Sequence, residues 1–207
     1  MIGTIVTGGN LIDASLLLKY TSKADIIIGV DRGIEFLVNH KIEIDFALGD
    51  FDSISNKSLL DSKLIKKTIT LNPIKDISDT HAALELAMEL GVTEFFILSG
   101  IGSRMDHTLS NISLLQLLDK NGVVGFVIDN NNRIRYAKKQ NEVNNDYDFV
   151  SVIPLEDGVT VTTQGFAYKT DNLILNFAQS RFVSNELKGS HGNLEIKGKA
   201  LIIETRD

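Results

Sequence analysis

The chain has 207 residues, is 43% hydrophobic and 23% charged, and carries a formal net charge of -6. It is long enough to bury a sizeable core in one domain or two small ones, with the composition of an ordinary globular protein. The acidic balance argues against holding nucleic acid through the overall field, no apolar run approaches the ~20 residues that cross a bilayer, and zero cysteines exclude disulfides and thiolate metal sites.

Residues 1–9 show no basic leader followed by a long apolar core, so a cytoplasmic protein is expected. Residues 2–6 are a short β-rich run ending in Thr7-Gly8-Gly9-Asn10, which predicts a strand feeding a tight glycine turn. Residues 11–20 place Leu11, Ala14 and Leu18 at helical spacing, with Leu17 adjacent. A second apolar run, residues 25–30, ends in Asp31-Arg32-Gly33, and Ile34, Leu37 and Val38 predict a helix after it. A third, Phe46-Ala47-Leu48, is broken by Gly49-Asp50-Phe51-Asp52-Ser53. Continuous apolar runs separated by helical patterns indicate an α/β fold, a mostly parallel sheet flanked by helices.

Ligands of such sheets gather beyond the carboxyl ends of the strands. Consecutive strand ends here carry Asp31, then Asp50 and Asp52. On an extended backbone Asp50 and Asp52 project the same way. At ~5 Å and an effective dielectric of ~20 they repel by roughly 3 kcal/mol. Water, proton uptake or a cation must offset that. By itself the stretch reads either as a solvated acidic loop or as part of a divalent-cation site built from oxygen ligands.

Residues 55–63 read as a helix-like connection and residues 67–71 as a strand. Pro73 excludes a helix interior, and a helix is predicted a few residues later. Its apolar face is Ala82, Ala83, Leu86, Ala87 and Leu90, and Gly91 is its stop. Asp76 or Ser78 is its N-cap, and Asp79 suits its dipole. Asp76 and Asp79 are thus either capping residues or acids completing a cation site. Residues 94–98 predict the next buried strand. It runs into Ser99-Gly100-Ile101-Gly102-Ser103, followed by Arg104, Asp106, His107 and Asn111, with Ile112, Leu115 and Leu118 continuing at helical spacing. Amides at that helix start, with Arg104, suit an anion. His107 reads as a histidine that orients the loop.

Residues 123–128 close this pattern. Asp129-Asn130-Asn131-Asn132 reads as a turn cluster and residues 141–148 as a polar segment. Helical periodicity then disappears, and residues 149–155, 159–163, 173–177, 194–197 and 201–204 predict short strands. An α/β domain is expected over residues 1–130 and a small antiparallel β-sandwich over residues 131–207. The second is small enough to need packing against the first or against another subunit.

Five pieces then stand in series. They are Asp31-Arg32-Gly33, Gly49-Asp50-Phe51-Asp52-Ser53, Asp76-Ile77-Ser78-Asp79, Gly102-Ser103-Arg104-Met105-Asp106-His107 with Asn111, and Ser184-Asn185-Glu186. In this order the chain resembles bacterial thiamine pyrophosphokinases over nearly its whole length. The most specific piece is the Arg-x-Asp-His-Thr-Leu-x-Asn run that starts at Arg104. The resemblance implies a nucleotide-binding α/β domain and a β-sandwich, in a homodimer with active sites at the subunit interface. It implies Mg2+-dependent transfer of diphosphate from ATP to thiamine, giving thiamine diphosphate and AMP, with no role for nucleic acid or membrane. It further implies metal ligands Asp31, Asp50, Asp52, Asp76 and Asp79, all but Asp31 also catalytic. Asp31, Arg32, Gly33, Arg104 and His107 match the ATP contacts, and Asp106, Ser184 and Asn185 the thiamine contacts. Arg32, Lys75 and Arg104 are the basic groups available to the polyphosphate.

The chain departs from the family pattern in places. Arg32 stands where glycine is common, Ser99 and Ser103 replace frequent glycines, and Ser78 replaces the usual threonine. With no tryptophan, Phe166, Tyr168 or Phe182 must supply an aromatic wall for thiamine. Three other readings stay open: a pyrophosphokinase of the same fold for another alcohol, a metal-dependent phosphohydrolase, and a non-catalytic thiamine or nucleotide sensor.

Overall fold

Six strands frame residues 1–130 in the computed structural model, which describes residues 1–72 and 76–207. They are β1 Ile2–Val6, β2 Ile26–Val30, β3 Ile44–Gly49, β4 Ile65–Thr70, β5 Glu94–Leu98 and β6 Val124–Ile128. All pair in parallel, in the order β4-β3-β2-β1-β5-β6. The order runs outward from β1 to β4, then reverses to β5. That reversal opens a crevice beyond the carboxyl ends of β1 and β5, where open parallel sheets take their ligands.

Four helices lie between the strands: α1 Ala14–Thr21, α2 Arg32–Asn39, α3 Asp79–Glu89 and α4 Met105–Lys120. Ile5, Ile28, Leu48 and Ile97 are buried, and so are Leu17, Ile34, Leu37, Leu84 and Leu118 from the helices. Within residues 1–130, three departures from the sequence expectation stand out. Helix α1 begins at Ala14 instead of Leu11, because Asp13 is its extended N-cap residue and Leu11 is exposed. The connection after β3 is a single 3-10 segment, Lys57–Asp61. Strand β4 begins two residues earlier than expected, at Ile65.

The chain divides into two compact units, Met1–Asn130 and Asn131–Asp207. The second holds seven strands: β7 Asn132–Tyr136, β8 Gln140–Asn144, β9 Phe149–Pro154, β10 Val159–Gln164, β11 Leu173–Leu175, β12 His191–Lys197 and β13 Ala200–Thr205. Within it β13 pairs antiparallel with β7 and β9, while β10 and β12 join β11 and β8 in a second antiparallel sheet. The inward residues of both sheets share one core that includes Val152, Val161, Phe166, Phe182, Ile196 and Ile202. This is the small antiparallel β-sandwich.

Strands β7 and β8 fall in the stretch whose sequence reads as a turn cluster and a polar segment. Their inward residues are few, Ile134 and Val143, and their polar groups are paired across the unit. Arg133 donates from Nε and Nη2 to the two carboxylate oxygens of buried Glu204, at 2.8 and 2.6 Å. Arg135 stands nearby, with Nε 3.9 Å from Glu204. Burial pulls the Arg135 guanidinium below its usual pKa range, and Glu204 opposes that shift. Arg133 and Arg206 lie over the Tyr147 ring, at 5.1 and 4.4 Å from its centroid. Buried Asn141 ties the β7–β8 turn, accepting from the Lys138 amide at 2.9 Å and donating to its carbonyl at 2.6 Å. Among the described residues no helix is long and apolar enough to cross a membrane.

Removing the charge of Glu204 leaves two guanidiniums facing one another without their shared anion. Glu204→Gln is expected to lower unfolding stability by about 3 kcal/mol. Urea denaturation followed by circular dichroism measures it, and an unchanged midpoint would mean that the cluster adds no net stability.

Candidate active site

Three of the five predicted acids converge. Asp31 follows β2, Asp50 follows β3, and Asp79 opens α3. One carboxylate oxygen from each lies within 4.8 Å of the others, and all three residues are half-buried. The backbone fixes this arrangement. The Asp31 amide donates to the Leu48 carbonyl at 3.2 Å, across the β2–β3 register, and its own carbonyl accepts from the Ile34 amide at 3.0 Å. Asp31 sits at φ 50°, and Gly49 beside it at φ 153°. A Cβ on Gly49 would overlap Asp31 Oδ1, so only glycine leaves that carboxylate its place. Gly33 acts at closer range still: a Cβ there would overlap the Val6 carbonyl, so glycine lets the first turn of α2 seat on the end of β1.

Asp52 and Asp76 are exposed and line neither cleft described below. The expectation that Asp50 and Asp52 share a direction assumes extended backbone. Phe51 between them is buried at φ 62°, which breaks the alternation. The Asp52 amide instead donates to Asp50 Oδ1 at 3.1 Å and helps hold that carboxylate. Ser78 is the N-cap of α3, its hydroxyl accepting from the His81 amide at 3.2 Å, which leaves Asp76 outside the helix, before the cap. Lys75 lies outside the described residues.

Two adjoining clefts open at this edge. The larger, about 360 Å³, lies at the β1–β5 reversal between the glycine turn after β1 and the small-residue loop after β5, with Arg32, Arg104 and His107 on its walls. The smaller, about 200 Å³, is lined by the three acids and by Ser78, Thr80, His107, Ser110 and Asn111. Asp31, Thr80, His107 and Asn111 border both. The loops are stitched together: the Thr7 hydroxyl donates to the Ser99 carbonyl at 2.5 Å, and the Gly9 amide donates to the same oxygen at 2.9 Å. Buried Asn111 donates to the Gly100 carbonyl at 2.8 Å, and Thr108 Oγ1 accepts from the Gly102 amide at 3.0 Å. His107, Ser110 and Asn111 follow the i, i+3, i+4 spacing of one helix face, a signal that could have found Ser110 from sequence. Thr80 carried no comparable signal beyond its place next to Asp79.

Arg104 and Asp106 face each other at the start of α4. Arg104 Nη2 donates to Asp106 Oδ2 at 2.6 Å and Nε to Oδ1 at 3.2 Å. This hydrogen bonding from Arg104, helped by the His107 amide, holds the Asp106 carboxyl at about 2. Arg32 is different. Exposed on the wall of the larger cleft, it forms no ion pair or hydrogen bond with the described residues.

In the sandwich, Asn185 is buried and fully engaged. Its Oδ1 accepts from the Tyr168 amide at 3.0 Å and the Glu186 amide at 2.9 Å, and its Nδ2 donates to the Tyr168 carbonyl at 2.9 Å. Ser184 is exposed at φ 56°, its amide donating to Ser151 Oγ at 3.0 Å. Of the three aromatics expected as a wall, Phe166 and Phe182 belong to the core, and Tyr168 is 69% exposed.

Comparison with known proteins gives one consistent result. The model of the thiamin pyrophosphokinase catalytic domain matches residues 17–125, and that of the thiamin pyrophosphokinase vitamin B1 binding domain matches residues 131–203. A thiamine pyrophosphokinase of Bacillus subtilis (strain 168) is 31% identical over 214 residues, covering 98% of each chain. A crystal structure of thiamine pyrophosphokinase from Bacillus subtilis aligns with a TM-score of 0.91 at 29% identity, over 100% of both chains. One from Geobacillus thermodenitrificans aligns at 0.86 and 27%, over 100% of this chain and 98% of that one.

The Arg104–Asp106 pair makes a pH prediction. The folded-state pKa of Asp106 is depressed, so any stability it contributes is present above the ordinary aspartate range and is lost as pH falls through about 2. Carboxyl-carbon NMR titration of the ligand-free chain is expected to place Asp106 at about 2. Arg104→Ala should return it toward ~3.9. An Asp106 midpoint indifferent to Arg104 would show that the pair does not persist in solution.

Proposed function

The chain belongs to the thiamine pyrophosphokinase family, and from that premise we propose that it transfers the terminal diphosphate of ATP to the hydroxyl of thiamine. The products are thiamine diphosphate and AMP. The observation that carries this reading is the meeting of Asp31, Asp50 and Asp79 beside a nucleotide-sized cleft at the reversal of the parallel sheet. An all-carboxylate donor set suits a hard cation such as Mg2+. The absence of a Cβ at Gly49 gives the Asp31 carboxylate room within that set. Asp31, Asp50 and Asp79 would hold the ion, with Asp52 steadying Asp50 through its amide. When bound, the ion neutralises carboxylate and polyphosphate charge together.

The remaining work is placement and charge stabilisation. ATP lies in the larger cleft, its approach made possible by the glycine turn after β1 and by Gly33. Arg32, Arg104 and His107 reach it from the walls. His107 borders both clefts, so it can contact the phosphate chain where the two meet. The thiamine hydroxyl attacks the β-phosphorus, and its proton passes to a carboxylate of the acidic edge, with Asp52 and Asp79 as the groups to test. In the sandwich, Tyr168 offers the ring and Ser184 a hydroxyl to thiamine, while Asn185 sets the Tyr168 backbone. Asp106, kept ionised, matches the charge of a thiazolium. A cytoplasmic homodimer with active sites at the subunit interface completes the reading. Association of two copies is supported by Tyr168, Ile174, Phe177 and Val183, which the sandwich leaves exposed.

The purified chain with ATP, Mg2+ and thiamine is expected to form thiamine diphosphate and AMP in equal amounts. Formation of ADP and thiamine monophosphate would overturn attack at the β-phosphorus. Asp50→Asn and Asp79→Asn should each lower turnover by about 100-fold or more with the circular dichroism spectrum unchanged. Tyr168→Ala should raise the KM for thiamine by about tenfold while leaving the KM for ATP in place. Equal effects on both substrates would remove Tyr168 from the thiamine site.

A further inference from the structure

Charge is sorted along the sheet edge. The smaller cleft gathers three carboxylates, and the larger has two arginines on its walls. These arginines are not equivalent. Arg104 is matched by Asp106 through two hydrogen bonds, whereas Arg32 has no anionic partner among the described residues. Arg32 is also well placed by the backbone. It is the first residue of α2, next to Gly33, whose Cα is pressed against the Val6 carbonyl. Its stem lies along the glycine turn, so that a Cβ on Gly8 would come within 3.3 Å of Arg32 Cβ. The side chain thus starts from a fixed point on the wall of the larger cleft, where Asp31 is the one carboxylate among the described lining residues.

We propose that Arg32 binds the α-phosphate of ATP and stabilises the departing AMP, so that the nucleoside monophosphate half occupies the larger cleft and the transferred diphosphate lies toward the acidic one. This rests on the diphosphate-transfer reading given above. Three carboxylates repel a phosphate that arrives without its cation, so the half of ATP that carries no transferred group is best held elsewhere. In the transfer, the thiamine hydroxyl oxygen bonds to the β-phosphorus. The bond from that phosphorus to the oxygen bridging the α-phosphorus breaks, and its electron pair stays on that oxygen as part of AMP. The hydroxyl proton goes to a carboxylate of the acidic edge. Negative charge thus grows on the α-phosphate only as the bond breaks, and a fixed cation there favours the transition state over bound ATP. The guanidinium adds a planar fork that fits two phosphate oxygens, which a lysine ammonium lacks.

The test uses the full chain, with AMP as the probe. Calorimetry and product inhibition are measured for the wild type, Arg32→Ala and Arg32→Lys. Arg32→Ala is expected to weaken AMP binding by about tenfold and to lower kcat, with Arg32→Lys intermediate. Binding of thiamine diphosphate and the thermal midpoint should stay at wild-type values, which a merely structural role for Arg32 would not preserve. AMP binding to Arg32→Ala at wild-type strength would overturn the proposal. So would a loss falling equally on AMP and thiamine diphosphate, because Arg32 would then act on the transferred half or on the fold. A wild-type chain that binds no AMP and releases ADP would instead bring down the diphosphate-transfer reading, and this inference with it.

Discussion

Mutual repulsion among Asp31, Asp50 and Asp79 is the constraint around which the α/β unit is arranged. At the 4.8 Å limit of their approach and an effective dielectric of ~20, each pair of charges costs on the order of 3 kcal/mol. No single segment could hold them there. Two are fixed by neighbouring parallel strands, whose register sets Val30 beside Leu48, and the third by the capped start of α3. Local backbone strain accompanies the arrangement. Asp31, Phe51 and Ser99 all sit at positive φ, and all lie just beyond the ends of core strands. Such positions persist where the surroundings over-determine them. Here the buried faces of β2, β3, β5 and α2 provide that support.

The same edge separates opposite charges that the net composition conceals. A chain of charge -6 has little general attraction for a polyphosphate. It gains a local one by placing Arg32 and Arg104 around the glycine turns and the carboxylates around α3. Asp106 then balances Arg104 in the ligand-free state. An exposed pair of this kind is worth little to stability. Its consequence is an asymmetry between the two arginines: Arg104 already holds an anionic partner, whereas Arg32 has none among the described residues.

The parallel sheet and the acids at the ends of its strands were legible because their signals are local. Continuous apolar runs announce buried strands, and acids directly after them must lie at the carboxyl edge. What could not be read was which acids share a direction. Asp50 and Asp52 look equivalent in sequence, and the φ of Phe51 alone sends them apart. Strands β7 and β8 were hidden for the opposite reason, since their support is remote. Arg133 gains a place in a strand only because Glu204 lies opposite, on β13. Charged residues in a polar stretch carry no trace of such a partner. The family resemblance recovered the order of the motifs, but not the geometry within them.

Asn185 shows the difference between a motif and a contact. Its place in the Ser-Asn-Glu segment invites a direct role toward thiamine. Yet its Oδ1 already accepts from the Tyr168 and Glu186 amides, and one N–H of its Nδ2 is given to the Tyr168 carbonyl. Its backbone pairs with Val150 in both directions, at 2.7 and 3.0 Å. A buried amide satisfied in this way is costly to replace, because each lost partner leaves a polar group stranded in the core. These bonds grip the main chain of Tyr168 on both sides while its ring stays in solvent. The asparagine thus acts on the loop as a whole, ordering the backbone that carries an exposed aromatic ring, and a surface ordered in advance costs less to bind.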